Sequence, residues 1–338
     1  MKACSLGTES KKKSGTELSR SIESNSNAKV AVFLWNGIGD CWLSVPTLRA
    51  LAEEFPSQVM LIMPSYLHNV LPQDLYELPS ARIPEEWGRA ERRSQSELQS
   101  ILGEDFSIEL FINLSPWRSP FLDQIEHHFR SRSTFEISTF HLSNVAGGIG
   151  NEHYADFVFQ VAKYVQRTQS EKDFFQLQIA MRDEFRNKAD RLSQVFPDDC
   201  KLLCVHNHSS EERKRWDTGR LFSCLDSFTS IREEYLAIIV DPTEYQIPLH
   251  LNNRIFSMTG LRLGTVAAFV EKCDLFLGVD SCMLHMADMC KVPSVGLFGP
   301  TRPENWGFRF SNGSTVEAKQ MNQIPSQKVL NKLLSIAR

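Results

Sequence analysis

From Lys29 onward the chain alternates short apolar runs with amphipathic stretches of helical period. Val30 to Trp35 predicts a strand buried on both faces, Asn36-Gly37-Ile38-Gly39-Asp40 a turn, and Leu43 to Phe55 a helix with Pro46 in its first turn. Gln58 to Met63 predicts the next strand, so this half opens as a βαβ unit. Between Pro64 and Gly103 the pattern weakens: prolines stand at 72, 79 and 84, and a charged, helix-like run extends from Glu85 to Ser100. Irregular inserts of this length in compact domains are often functional. Ile108 to Leu114 resumes a strand, Ser115 to Pro120 breaks it, and Leu122 to Arg130 predicts a short helix containing His127 and His128. Thr134 to Ser138 reads as an outer strand and Gly147 to Gly150 as a turn. Glu152 to Arg167 follows as a helix, with Tyr154, Phe157, Val158, Val161, Ala162 and Val165 on its inner face.

A polar link begins at Thr168, and a helix from Arg182 to Phe196 leads into a second half. There Leu202 to Val205, Leu236 to Val240 and Arg254 to Phe256 predict strands, with helices at Leu221 to Phe228 and Val266 to Cys273. The pattern is sharpest at Cys273 to Trp306. Leu275 to Val279 is an apolar run, and Asp280 and Ser281 are residues that favour helix starts. Met283, Leu284, Met286, Ala287 and Met289 share one helical face, and Ser294 to Phe298 is a second apolar run. Val329 to Ile336 closes the chain as an amphipathic helix. The alternation predicts an α/β protein with two doubly wound parallel sheets. Residues 1–28 are expected to form a disordered tail, 29–175 and 176–322 the two domains, and 323–338 the closing helix.

Composition narrows the class. A chain of 338 residues with 42% hydrophobic and 23% charged residues can bury a core in each half. A net charge of -4 gives no sign of nucleic-acid binding. No apolar run approaches membrane-spanning length, and Met1 to Asn27 lacks the apolar centre of a signal peptide, so a cytoplasmic location is expected. The 8 cysteines include no Cys-x-x-Cys pair and read as reduced thiols.

Parallel sheets bind ligands beyond the carboxyl ends of their strands, where the helix starting near Ser281 directs its unpaired N–H groups. An anion such as phosphate belongs there, or Asp280 merely supplies the cap that any such helix needs. Gly37 and Gly39 permit a tight loop above the first sheet, from which Asp40 projects toward the crevice between domains, again either as a functional group or as a cap. A dinucleotide-binding fingerprint would require glycine where Trp42 stands. His206-Asn207-His208 and Arg213-Lys214-Arg215-Trp216 follow the strand at Leu202 to Val205, where cations meet a diphosphate, or where Glu211 and Glu212 make a solvated charge cluster with them. His206 and His208 lack the further ligand spacing of a metal site, and no Asp-x-Asp motif occurs.

Leu277-Gly278-Val279-Asp280-Ser281, His285, Val292-Pro293, and Leu297-Phe298-Gly299-Pro300-Thr301 followed by Trp306 resemble the signature of glycosyltransferase family 9, the ADP-heptose heptosyltransferases. Gly39-Asp40 followed by Pro46, Leu48, Arg49, Ala50 and Leu51 is similar to the family's N-terminal motif, and Lys214 with Trp216 to its Lys-x-Trp pattern. The resemblance covers roughly residues 29 to 310 and departs at Cys282, where the family usually has glycine. It implies a GT-B fold of two facing Rossmann-like domains, and inverting transfer of a sugar, heptose from ADP-heptose, with no metal or other cofactor. Relatives that modify proteins carry a cysteine-bound iron, which the scattered cysteines here do not support. Asp40 is implied as general base, with Gly37 and Gly39 in the acceptor-side loop. Lys214, Arg215, Glu244 (or Asp241), Asp280, Ser281, Cys282 and His285 are implied on the donor. The implied partners are the nucleotide-sugar, a glycan or lipopolysaccharide-core acceptor and the inner membrane face. Transfer of another sugar, transfer onto protein, or sugar-nucleotide binding without turnover are the rival readings. The closing helix is expected to pack back on the first domain.

Overall fold

The computed structural model describes residues 29–89, 91–103, 108–133, 136–144, 149–165, 171–176, 179–251 and 253–337. The expected tail, Thr134, Gly147 and the start of the link at Thr168 lie outside them.

Two parallel sheets organise the chain. The first holds β1 (Val30–Phe33), β2 (Val59–Pro64), β3 (Ser80–Ile83), β4 (Leu110–Asn113) and β5 (Ser138–His141), in the order β3-β2-β1-β4-β5. The second holds β6 (Lys201–His206), β7 (Tyr235–Val240), β8 (Ile255–Met258), β9 (Leu275–Val279), β10 (Ser294–Phe298) and β11 (Ser314–Glu317), in the order β11-β10-β9-β6-β7-β8. Every strand pairing is parallel. These strands read as unbroken apolar runs because helices cover both faces. Alternate residues of β1 serve different layers: Ala31 and Phe33 pack toward Phe121, Ile125 and Phe129, whereas Val30 and Val32 pack toward Val158 and Val161.

This is the expected GT-B architecture. Strand order reverses between β1 and β4 in one sheet and between β6 and β9 in the other, which places a ligand crevice at each of those carboxyl edges. The two crevices face each other. One apolar cluster joins the halves, running from Val32, Trp42 and Val158 through Met283 and Met286 to Phe276.

Two expectations are corrected. The charged run from Glu85 becomes regular helix only at Gln95–Leu102, where Ser94 and Glu97 form a reciprocal cap; Pro84 and Gly88 hold the preceding residues in turns. The closing helix, Ser326–Ile336, stays on the second domain. Its Val329, Leu330 and Leu333 bury against Leu221, Cys224 and Phe228 of the Thr218–Ile231 helix, an apolar partner already on the outer face of the second sheet. What reaches across to the first half is the segment after β10. There Asn305 Nδ2 donates to Glu152 O at 2.8 Å, and Arg309 Nε to Asp156 Oδ1 at 2.9 Å.

Candidate active site

β1 ends in Trp35 and Asn36, and Gly37 then starts the short helix Ile38–Leu43. Asp40 sits in the first turn of this helix, and its Oδ2 accepts the Gly37 N–H at 3.2 Å. It therefore has a local structural role as well as a position at the crevice. Burial pushes its carboxyl up from 3.8 to about 6, and nearby Asp280 raises it further, while the Gly37 bond, Lys214 and Arg89 work in the other direction. A base of that pKa is deprotonated at neutral pH yet basic enough to take a proton.

The glycines of this turn do not serve backbone freedom. Gly37 has φ -66°, and the glycines with positive φ are Gly103, Gly150 and Gly260 among the described residues. Gly39 is required for close approach instead. A Cβ there would lie 2.9 Å from His285 Cδ2 of the other half, whereas a Cβ on Gly37 would meet Asp40 Oδ2 at an ordinary 3.5 Å.

Across the crevice, β6 leads into a loop whose 3₁₀ turn, Glu212–Lys214, delivers Lys214. Lys214 Nζ donates to Asp280 Oδ2 at 3.0 Å and lies 3.3 Å from Glu211 Oε1, and Thr301 Oγ1 donates to the same Asp280 oxygen at 2.6 Å. Asp280 thus holds the lysine rather than capping the following helix. Ser281 is the cap residue of helix Cys282–Met289, yet its side chain makes no capping bond. Its buried Oγ and the buried His285 Nδ1 have no hydrogen-bond partner among the described residues. Unpartnered polar atoms beside a helix N-terminus suit an anionic ligand. Burial pushes His285 down to about 4, so its ring is neutral. Cys282 opens the helix, and burial pushes its thiol up to about 11, so it presents a neutral side chain at the family's usual glycine position.

These groups line one pocket of about 520 Å³. Gly37, Gly39 and Asp40 form one wall, and Lys214, Asp280, Ser281, Cys282 and His285 the other, with His206 and His208 alongside. Two expected residues lie elsewhere. Arg215 is absent from the lining; its Nε donates to Ser209 O at 2.9 Å, bracing the loop. Glu244 is exposed and also outside the lining. Its alternative, Asp241, is taken up structurally, 2.7 Å from His206 Nδ1 and accepting the Asn207 N–H at 3.2 Å. Burial opposes its charge, but these bonds outweigh burial and lower its pKa. No group of three or more metal-ligating side chains occurs among the described residues.

Two contributors were quoted in the sequence as parts of the signature without a role at the site. Trp306 lines the pocket and stacks on Tyr154 at 4.8 Å, and Tyr154 Oη accepts from Asn36 Nδ2 at 3.0 Å. Thr301, quoted only as part of the Gly-Pro-Thr motif, is a direct partner of Asp280.

The sequence profile of Glycosyltransferase family 9 (heptosyltransferase) matches residues 152–336. The chain belongs to glycosyltransferase family 9. It is a heptosyltransferase-like glycosyltransferase. Lipooligosaccharide heptosyltransferase 2 of Campylobacter jejuni subsp. jejuni serotype O:6 is 24% identical over 291 residues, covering 81% of this chain and 82% of that protein. The family 9 glycosyl transferase of Veillonella parvula superposes with a TM-score of 0.72 at 19% identity, covering 92% of this chain and 98% of that one. The E. coli heptosyltransferase WaaC, solved with ADP-2-deoxy-2-fluoro heptose, superposes with a TM-score of 0.62 at 11% identity, over 90% of this chain and 99% of that one.

The Gly39 contact yields a direct test. Gly39→Ala must displace the His285 ring or part the two halves, an overpacking cost of roughly 1–3 kcal/mol. Glycosyl transfer by this transferase should fall at least about tenfold, while Gly37→Ala stays near wild type. Equal activity of the two variants would mean that the contact is not required.

Proposed function

We propose that this transferase moves a heptose from ADP-heptose, with inversion and without a metal ion, to a hydroxyl of a lipopolysaccharide-type glycan. The observation that carries the reading is one pocket in which Asp40 of the first half faces Lys214 and the Cys282–Met289 helix N-terminus of the second. The donor identity is supported by the family and by the WaaC structure with a fluorinated ADP-heptose. The acceptor class is supported by the C. jejuni relative.

In this mechanism the Asp40 carboxylate takes the proton of the acceptor hydroxyl as its oxygen attacks the anomeric carbon. The bond from that carbon to the diphosphate oxygen breaks on the opposite face, which inverts the configuration. The departing electron pair adds negative charge to the diphosphate, where the Lys214 ammonium and the N–H groups at the start of the Cys282–Met289 helix neutralise it. Asp280 and Thr301 hold Lys214 in position. The products are the glycoside, ADP and a proton on Asp40.

Two variants test the assignment. Lys214→Ala removes one charge-assisted contact, worth about 1.5–3 kcal/mol, so ADP affinity measured by calorimetry should drop by roughly 10- to 100-fold. Unchanged affinity returns Lys214 to a solvated cluster, and thermal stabilisation by UDP or GDP but not by ADP overturns the donor assignment.

Asp40→Asn keeps an oxygen that accepts the Gly37 N–H but cannot take a proton. Turnover should fall by roughly 10²- to 10⁴-fold with donor affinity close to wild type. In the wild type, kcat/KM should decline with unit slope as pH falls below about 6, where Asp40 protonates, and the variant should lack that limb. Stability follows the opposite sense. Because the folded pKa lies above the unfolded one, burial favours the protonated carboxyl at low pH, and that contribution is lost as pH rises through about 6. The Asn variant should therefore melt no lower than wild type at pH 8. Near wild-type turnover would remove Asp40 from the chemistry, and a lower melting temperature at pH 8 would make it a structural cap.

A further inference from the structure

Trp306 joins the two halves at the edge of the pocket. It belongs to the short Pro303–Trp306 helix that follows β10, and it lines the pocket together with Gly37 and Asp40. Its neighbours in the chain fasten it to the first half. On one side Asn305 Nδ2 donates to Glu152 O at 2.8 Å and lies 3.2 Å from Gly150 O. On the other side the tie is His153, whose Nδ1 accepts the Ala155 N–H at 3.2 Å. The ring proton therefore sits on Nε2, which donates to Gly307 O at 3.0 Å. Between these ties the Trp306 ring stacks on Tyr154, with 4.8 Å between ring centres and 21° between planes.

Packing accounts for a ring at position 154 but not for its hydroxyl. Tyr154 is buried, and its Oη accepts from Asn36 Nδ2 at 3.0 Å. Asn36 in turn accepts from Trp117 Nε1 on its Oδ1, also at 3.0 Å. The amide is thus clamped at both ends, between the Tyr154–Val165 helix and the indole that follows β4. Asn36 is buried as well, so an Nδ2 left without its acceptor would have to move to find another. The backbone that would move with it runs straight into Gly37, whose N–H donates to Asp40 Oδ2 at 3.2 Å.

A path of contacts therefore runs from the second half to the proposed base: the Trp306 ring, the Tyr154 hydroxyl, the Asn36 amide, the Gly37 N–H and the Asp40 carboxyl. We propose that Tyr154 is a positioning residue for the transfer reaction, which holds the Asp40 turn in place through Asn36 and is itself seated by Trp306 of the second half. The turn then has its working shape only while the segment from Pro303 to Gly307 lies on the first half. This rests on the reading of Asp40 as the base, and goes beyond it by assigning what sets the base in position. Placement matters because a displacement of about 1 Å at a reacting group costs on the order of 100-fold in rate.

The Gly37 amide proton, observed by NMR in the full chain, reports the hold without reference to turnover, because it resonates downfield while it donates to the carboxylate. Tyr154→Phe keeps the stack and removes only the acceptor of Asn36 Nδ2. It should move the Gly37 resonance upfield, and kcat should fall roughly 10- to 100-fold while ADP affinity, measured by calorimetry, stays near wild type. Trp306→Ala should displace the Gly37 resonance in the same sense, and Trp306→Phe should reverse most of that displacement because a ring is again stacked on Tyr154. A Gly37 resonance unchanged in Tyr154→Phe overturns the proposal, as does near wild-type kcat in that variant. A loss of ADP affinity that matches the loss of kcat also overturns it, since a general disturbance of the pocket would do the same. Near wild-type turnover by Asp40→Asn removes the base and this proposal with it, whereas an inactive Asp40→Asn beside an unmoved Gly37 resonance in Tyr154→Phe overturns the proposal alone.

Discussion

The structure depends on the close approach of two helices that start at the switch points, Ile38–Leu43 of the first half and Cys282–Met289 of the second. Gly39 on the first half leaves no room for a side chain before the His285 ring of the second. That contact seals Asp40 from much of the solvent and sets it opposite Lys214. Around it the apolar cluster from Trp42 to Met286 is continuous, so the crevice is a gap left within one packed body.

Burial and hydrogen bonding then give the charged groups of the pocket different environments. Asp40 has a single backbone donor, and burial raises its pKa. Asp280 receives both Lys214 and Thr301 on one oxygen and so works as a holder of the cation. The carboxylates of the pocket thus differ in their partners: Asp40 is partly buried with one backbone donor, whereas Asp280 and Glu211 are paired with the Lys214 ammonium. The segment from Thr301 to Arg309 ties the arrangement together. It contributes Thr301 to Asp280 and Trp306 to the pocket, and it is bound to the first half through Asn305 and Arg309.

Much of this was legible in the chain. Buried parallel strands announce themselves as apolar runs, and Asp280 and Ser281 follow β9 at the point where a ligand-binding edge is expected. The reasons behind particular residues were less legible. Gly39 looked like a turn glycine because local sequence carries no record of a contact with His285, which is distant along the chain. Glu244 looked plausible because it follows β7, but the loop there buries Asp241 against His206 and leaves Glu244 exposed. The closing helix has an apolar stripe that fits either half, and only the already exposed face of the Thr218–Ile231 helix decides between them. Arg89, one of the charges that act on Asp40, lay in a stretch without periodicity, and the rings it packs on, Trp35 and Trp117, follow β1 and β4.

The central claim is that a desolvated Asp40 faces the Lys214 ammonium across the crevice. A carbon-13 NMR titration of the Asp40 carboxyl, in wild type and in Lys214→Ala, tests it most directly. The account predicts a midpoint near 6 in the wild type, displaced upward when the opposing cation is removed. An Asp40 that titrates near the ordinary 3.8 and does not respond to loss of Lys214 would contradict it.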